Sequence, residues 1–113
     1  MKDDSIYLEH IEQNLKRIIL YASGITEEEF LENIQLQDAC IRQIEIMGEA
    51  TKRISEAFKE KHTEVPWKDM AGMRDKLIHD YIDVDLNIVY QTVAVDIPIL
   101  LPCLLYTSPS PRD

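Results

Sequence analysis

The chain is poor in cysteine, glycine and aromatic residues, and this narrows the classes of protein to which it can belong. Its 113 residues include two cysteines, three glycines and 7% aromatic side chains. Cys40 and Cys103 stand far apart and show no CxxC or Cys/His spacing. Neither a disulfide framework nor a zinc site is indicated. We expect Cys40 to lie in the core instead.

Basic residues and long uncharged runs are also scarce. Twelve basic residues against 21 acidic ones give a formal charge of −9, which opposes salt-driven attraction to a phosphate backbone. Any contact with nucleic acid must therefore be local or assisted by a partner. No uncharged run reaches the roughly 18 residues that span a bilayer, and no apolar signal core follows the N-terminus. We expect a cytoplasmic protein with no membrane partner.

The common motifs of small-molecule enzymes are missing. The sequence has no GxGxxG, P-loop, GxSxG or HExxH motif and no carboxylate pair in a metal-ligand pattern. No cofactor and no metal ion are expected.

Helical patterns fill the first half of the chain, and no segment alternates with period two. Apolar residues predict a first helix over 5–22, which Gly24 ends. A capping box at Thr26–Glu29 begins a short second helix that ends near Asn33. The third helix, over 36–61, is the longest.

The third predicted helix has an apolar arc of roughly 160° at 100° per residue, wide enough to face more than one neighbour. The arc includes Cys40 and runs on to Ala57 and Phe58. Gln43 projects into it, where a buried amide needs hydrogen-bond partners.

Two further helices are predicted in the second half. Pro66 is placed to open a helix from Trp67 to about His79, and Asp85 is a plausible N-cap for a last helix that Pro98 should kink. The sequence therefore predicts one domain over residues 1–102, an all-α antiparallel bundle of four to five helices.

The last 11 residues differ from the rest. From Cys103 onward the helical pattern breaks and the sequence becomes rich in serine and proline. Residues 103–113 resemble the translation of a sequencing adapter, so we interpret them as a non-native tail.

One dense segment, residues 66–81, carries the candidate chemistry. Cleavage of RNA by its own 2′-hydroxyl needs a proton shuttle near neutral pH and a cation for the charge that gathers on phosphate. His79 suits the first role and Arg74 the second. Residues five apart on an ideal helix lie about 140° from each other, so either the helix loosens near His79 or two protomers combine their pairs.

Structural interpretations of the same residues are open. A histidine near a helix C-terminus is often a favourable dipole partner. Arg74 could simply pair with Asp75, Asp80 or Glu64. Tyr81 could be a core or rim aromatic.

Three blocks of sequence resemble the HepT family of minimal HEPN ribonuclease toxins. Its motif is Arg, a polar residue, three further residues, His, any residue and Tyr, and the chain has Arg74, Asp75, His79 and Tyr81 at those positions. Residues 46–55 resemble the long helix of the family. The third block, Val65-Pro66-Trp67 with Gly72-Met73-Arg74, resembles its approach to the motif.

The resemblance implies an HEPN-type bundle that forms a homodimer, with the two motifs facing each other across the interface. It implies cleavage of RNA without metal that leaves a 2′,3′-cyclic phosphate. His79 would be the general acid and base, Arg74 would bind or stabilise the phosphate, and Asp75 would orient His79 or Arg74. It also implies a toxin–antitoxin pair of the type VII kind. The antitoxin would be a minimal nucleotidyltransferase that silences the toxin by adding AMP to Tyr81.

Two other functions fit the sequence. One is a non-catalytic HEPN dimer that binds nucleotide or docks a protein partner, which agrees with the acidic charge. The other is a purely structural helical dimer. Cleavage assays separate the first from a ribonuclease, and the second predicts no phenotype when Arg74 is changed.

Overall fold

The computed structural model describes residues 3–77 and 84–106. Within these ranges the chain forms α-helices joined by short links and no β-strand. The helices are α1 (Asp4–Ala22), α2 (Glu27–Glu32), α3 (Ile34–Lys52), α4 (Glu56–Lys61), α5 (Trp67–Ala71), α6 (Met73–Leu77), α7 (Leu86–Gln91) and α8 (Ile97–Leu105), with a π-helical segment at Thr92–Asp96. The all-α prediction is confirmed.

The first two helices begin and end where local signals predict. Gly24 follows the end of α1 with a φ of 72°, a conformation that glycine adopts without strain. The Thr26 hydroxyl accepts a hydrogen bond from the Glu29 amide at 3.1 Å, and the Thr26 amide donates to the Glu29 carboxylate at 2.9 Å. The Thr26 amide and then the Thr26 hydroxyl, both donating to the Glu29 carboxylate, favour its ionised form and lower the pKa of Glu29. The predicted capping box is confirmed.

The prediction of one continuous helix over 36–61 is wrong, because the chain breaks between α3 and α4. The Ser55 hydroxyl caps α4 by accepting from the Phe58 amide at 3.1 Å. The amide and hydroxyl of Ser55 donate to the carboxylate of Asp4, at 2.8 and 2.7 Å. The break turns Ala57 to the surface, where the continuous helix would have buried it.

The helix predicted from Trp67 to about His79 is divided at Gly72 into α5 and α6. The Gly72 amide donates to the Lys68 carbonyl, and the next helix starts at Met73. The last part of this prediction falls on residues 78–83, which lie outside the described ranges.

The last helix begins as predicted, since the Asp85 carboxylate accepts from the Ile88 amide at 3.2 Å. It runs unbroken from Leu86 to Leu105. The disturbance expected from Pro98 is taken up by the wider π turn just before it. The helical pattern does not break at Cys103 as predicted, because the helix continues to Leu105 and Leu104 is buried.

The core lies where α1 packs against α3 and α8. Cys40 is fully buried, as predicted, and burial raises the pKa of its thiol to about 11. Gln43 has the partner that its burial demands, because the Asn14 side-chain amide donates to its carbonyl oxygen at 2.8 Å. The last helix adds Val89, Val93, Ile97, Leu100 and Leu104 to the core.

The last helix is also the one described segment that is long and apolar enough to cross a membrane, with a mean hydropathy of 1.9. This test rests on length and composition, and a core helix of a soluble protein also passes it. Of its most apolar window 33% is buried inside the fold, and α8 packs on α1. The cytoplasmic location stays a prediction.

Candidate active site

Arg74 lies on α6, and its exposed guanidinium contacts the side of α3. Its Nε donates to Glu45 Oε2 at 3.0 Å, and its Nη1 donates to Asp75 Oδ1 at 3.3 Å. The Arg74 side chain is nevertheless 49% exposed. The guanidinium is therefore held in one place while remaining accessible to a ligand.

Glu45 and Asp75 also keep the Arg74 guanidinium positively charged. The hydrogen bond to Glu45, followed by the bond to Asp75, raises the pKa of Arg74 above its already high ordinary value. A guanidinium has five N–H donors. Two of them are used by Glu45 and Asp75, and no other residue in 3–77 or 84–106 takes the remaining three, which could bind an anion such as a phosphate.

Gly48 sets the distance between α3 and the segment that carries Arg74. A Cβ atom on Gly48 would lie 3.3 Å from the carbonyl oxygen of Ala71 and 3.5 Å from that of Met70. Gly48 follows Glu45 by about one helical turn, on a neighbouring part of the same surface. The close approach that this glycine permits brings Glu45 within reach of α6.

We expect Gly48→Val to destabilise the protein and weaken the grip on Arg74. The added side chain meets backbone rather than a flexible side chain, and overpacking of this kind costs about 1–3 kcal/mol. The free energy of unfolding from denaturant titration measures the effect. Glu49→Val is the matched control, since it adds the same side chain to an exposed position of α3. Equal stability of the two variants would contradict the role assigned to Gly48.

The structure brings Arg74 and Asp75 together, but the other two predicted site residues, His79 and Tyr81, lie outside the described residues. Of the ion-pair partners left open for Arg74, Asp75 is in contact with it, whereas Glu64 lies beside His62. Glu45 was missed. At 100° per residue it lies opposite the centre of the apolar arc of α3, where a carboxylate is expected to face solvent, so the sequence carries no signal for it. The described residues contain no grouping of His, Cys, Asp and Glu that could hold a metal ion.

The fold and this cationic site together define an all-α protein of the HEPN type. The family model described as "Ribonuclease HepT-like" matches residues 11–106. The chain therefore belongs to the HepT-like ribonuclease family.

Curated relatives agree with this assignment. The chain is 46% identical over 98 residues to a provisionally named RNase of Caldanaerobacter subterraneus subsp. tengcongensis, covering 87% of this chain and 88% of the relative. It is 47% identical over 94 residues to a protein of Thermococcus cleftensis named probable ribonuclease HepT, covering 83% and 86%. No solved structure gives a significant match.

Proposed function

We propose that the protein is a metal-independent endoribonuclease that acts as the toxin of a type VII toxin–antitoxin pair. The observation that carries the proposal is the accessible Arg74 guanidinium, held by Glu45 and Asp75 in a chain of the HepT-like ribonuclease family. A fixed cation placed where charge gathers in the transition state is a strong source of catalysis.

In the proposed reaction the 2′-hydroxyl of a ribose attacks the adjacent phosphorus and loses its proton to His79. The bond from phosphorus to the 5′-oxygen of the next nucleotide breaks, and that oxygen takes up a proton from a protonated histidine. The products are a 2′,3′-cyclic phosphate and a free 5′-hydroxyl. Arg74 stabilises the extra negative charge on the phosphate, while Asp75 and Glu45 position its guanidinium.

Two protomers are proposed to share the reaction. Arg74 lies on a helix of five residues, and His79 follows it by five positions. On a regular helix the two side chains would diverge by about 140°. A homodimer that brings two such motifs together would give each phosphate an arginine and two histidines, one to accept a proton and one to donate it.

The test is incubation of the purified protein with end-labelled RNA in excess EDTA. We expect cleavage to persist, and the new 3′ ends to resist alkaline phosphatase until acid opens the cyclic phosphate. RNA left whole at every protein concentration would overturn the proposal in favour of a non-catalytic binding module. Fragments with 3′-hydroxyl ends would overturn the mechanism.

The partner is proposed to be a minimal nucleotidyltransferase that adds AMP to Tyr81. Such a modification would place an anion near Arg74, where it competes with the phosphate of the substrate. Incubation with the partner and ATP should add the mass of one AMP to the wild-type chain. Production of the partner in cells that make the wild-type chain should restore their growth. Tyr81→Phe should gain no mass and remain toxic, while Tyr21→Phe, changed at a tyrosine on α1, should behave as the wild type. Modification of Tyr81→Phe would contradict the assignment.

A further inference from the structure

A groove outside the Arg74 site runs between the α5–α6 segment and the last helix. It has a volume of about 490 Å³, within the range of about 300–1,000 Å³ that is usual for small-ligand sites. Apolar side chains in its lining include Met73 and Leu100, and the charged ones are Lys68, Lys76, Asp69 and Asp96.

The two lysines are exposed, and neither forms an ion pair with a described residue. Arg17, Arg42, Arg53 and Lys61 likewise form no ion pair with a described residue, so the two lysines are distinguished by the groove that they share. Lys16, Lys52 and Lys59 each lie beside a glutamate on their own helix. Lys68 and Lys76 place two unpaired ammonium groups in a groove whose other charged residues are Asp69 and Asp96, so the groove has no net charge but offers donors for a phosphate beside acceptors for other groups.

The rest of the lining fits a nucleotide better than a bare anion. Asp69 and Asp96 would repel free phosphate, but their oxygens can accept hydrogen bonds from the amino group of a base or from a ribose hydroxyl. Ile99, which lines the groove and is 61% exposed, offers apolar surface to the ring of the base. Thr92, also in the lining, belongs to the π-helical segment, a deviation often found at functional sites.

The groove lies on a different side of α6 from Arg74. Met73 and Lys76 line it, whereas Arg74 turns towards α3. A single RNA strand that reaches both the groove and Arg74 must pass around α6, whose width with side chains is about 10–12 Å. The groove would then hold a nucleotide further along the strand, and not the one that is cut.

We infer that this groove is a secondary subsite for single-stranded RNA, in which Lys68 and Lys76 bind a backbone phosphate and Asp96 contacts the base. The inference rests on the proposed ribonuclease function and extends it.

The test compares two doubly substituted proteins that lose the same amount of charge. Lys68→Gln with Lys76→Gln alters the groove, and Lys52→Gln with Lys61→Gln alters exposed positions outside it. The probe is a short fluorescent 2′-O-methyl oligoribonucleotide, which cannot be cut, and its binding is followed by anisotropy as salt is raised. The groove variant should bind about tenfold more weakly at 0.1 M salt, with a salt slope smaller by about 0.7, the value for one lost phosphate contact on a single strand.

Cleavage of a dinucleotide separates this inference from the proposed function. A dinucleotide is too short to reach the groove, so its cleavage should be equal in the wild type and the groove variant. Asp96→Asn should change the preference among homopolymer probes without altering the salt slope. Equal affinity and slope in the two double variants, while the wild type still cuts RNA, would overturn the subsite. A wild type that neither binds nor cuts RNA would overturn the ribonuclease function itself.

Discussion

His79→Ala is expected to abolish RNA cleavage and growth inhibition while leaving the helical fold intact. A positioned general acid or base contributes about 10²–10⁴-fold to the rate, and in the proposed reaction histidine fills both roles. The measurement is single-turnover cleavage of labelled RNA, with circular dichroism and thermal unfolding to verify the fold.

His10→Ala is the matched control, because His10 is an exposed histidine of α1. The pH dependence adds a second measurement. The pKa of Arg74 is raised by Glu45 and Asp75, so this group stays protonated throughout the working range. Any change of rate between pH 5 and 8 should then come from histidine, whose reference pKa is about 6.5. A His79→Ala protein with wild-type activity would reject the site.

Arg74→Ala should lower kcat/KM for RNA by about 10²–10³-fold, the usual cost of removing one donor that stabilises transition-state charge. Arg74→Lys should recover only part of the loss. Lysine keeps the charge, but it cannot donate to Glu45 and to a phosphate through one planar group. Arg42→Ala, at an exposed position of α3, should cut RNA as the wild type does.

The same experiment reveals the part played by Glu45. Glu45→Gln keeps the size of the side chain but removes the charge that holds Arg74 Nε at 3.0 Å. If Glu45 acts only through Arg74, it should lower kcat in the wild type and have little further effect in Arg74→Ala. Equal losses in both backgrounds would show that Glu45 has a separate role, and an active Arg74→Ala enzyme would remove Arg74 from the mechanism.

The parts of the fold that the sequence predicted correctly are those set by local contacts. The capping box at Thr26 and the cap at Asp85 need no more than the next three residues, and the apolar repeats of α1 and the last helix face one core. The break at Ser55 was missed because the prediction followed apolar spacing, whereas the Ser55 hydroxyl caps α4 through the Phe58 amide and the distant Asp4 carboxylate binds the same serine. Apolar spacing alone cannot register such a competitor.

The candidate site was likewise predicted only in part. The resemblance to the family placed Arg74 and Asp75 in one motif, and the structure places them in contact. Glu45 could not be assigned from the sequence, since its contact with Arg74 depends on how closely α3 and α5 pack at Gly48. The roles of His79 and Tyr81 stay predictions, because both residues lie outside the described ranges.

The π turn before Pro98 gives the last helix one place where its number of residues can change. A π turn holds one residue more than the α-helical turn it replaces, so deletion of Ala94 would return the segment to regular winding. The lost residue and the tighter winding offset each other, so the residues after the deletion would keep their direction. Ile97, Leu100 and Leu104 would still face the core together with Val89 and Val93. At this position the family should accept the loss of one residue, which would rotate the following residues by about 100° in any regular part of the helix.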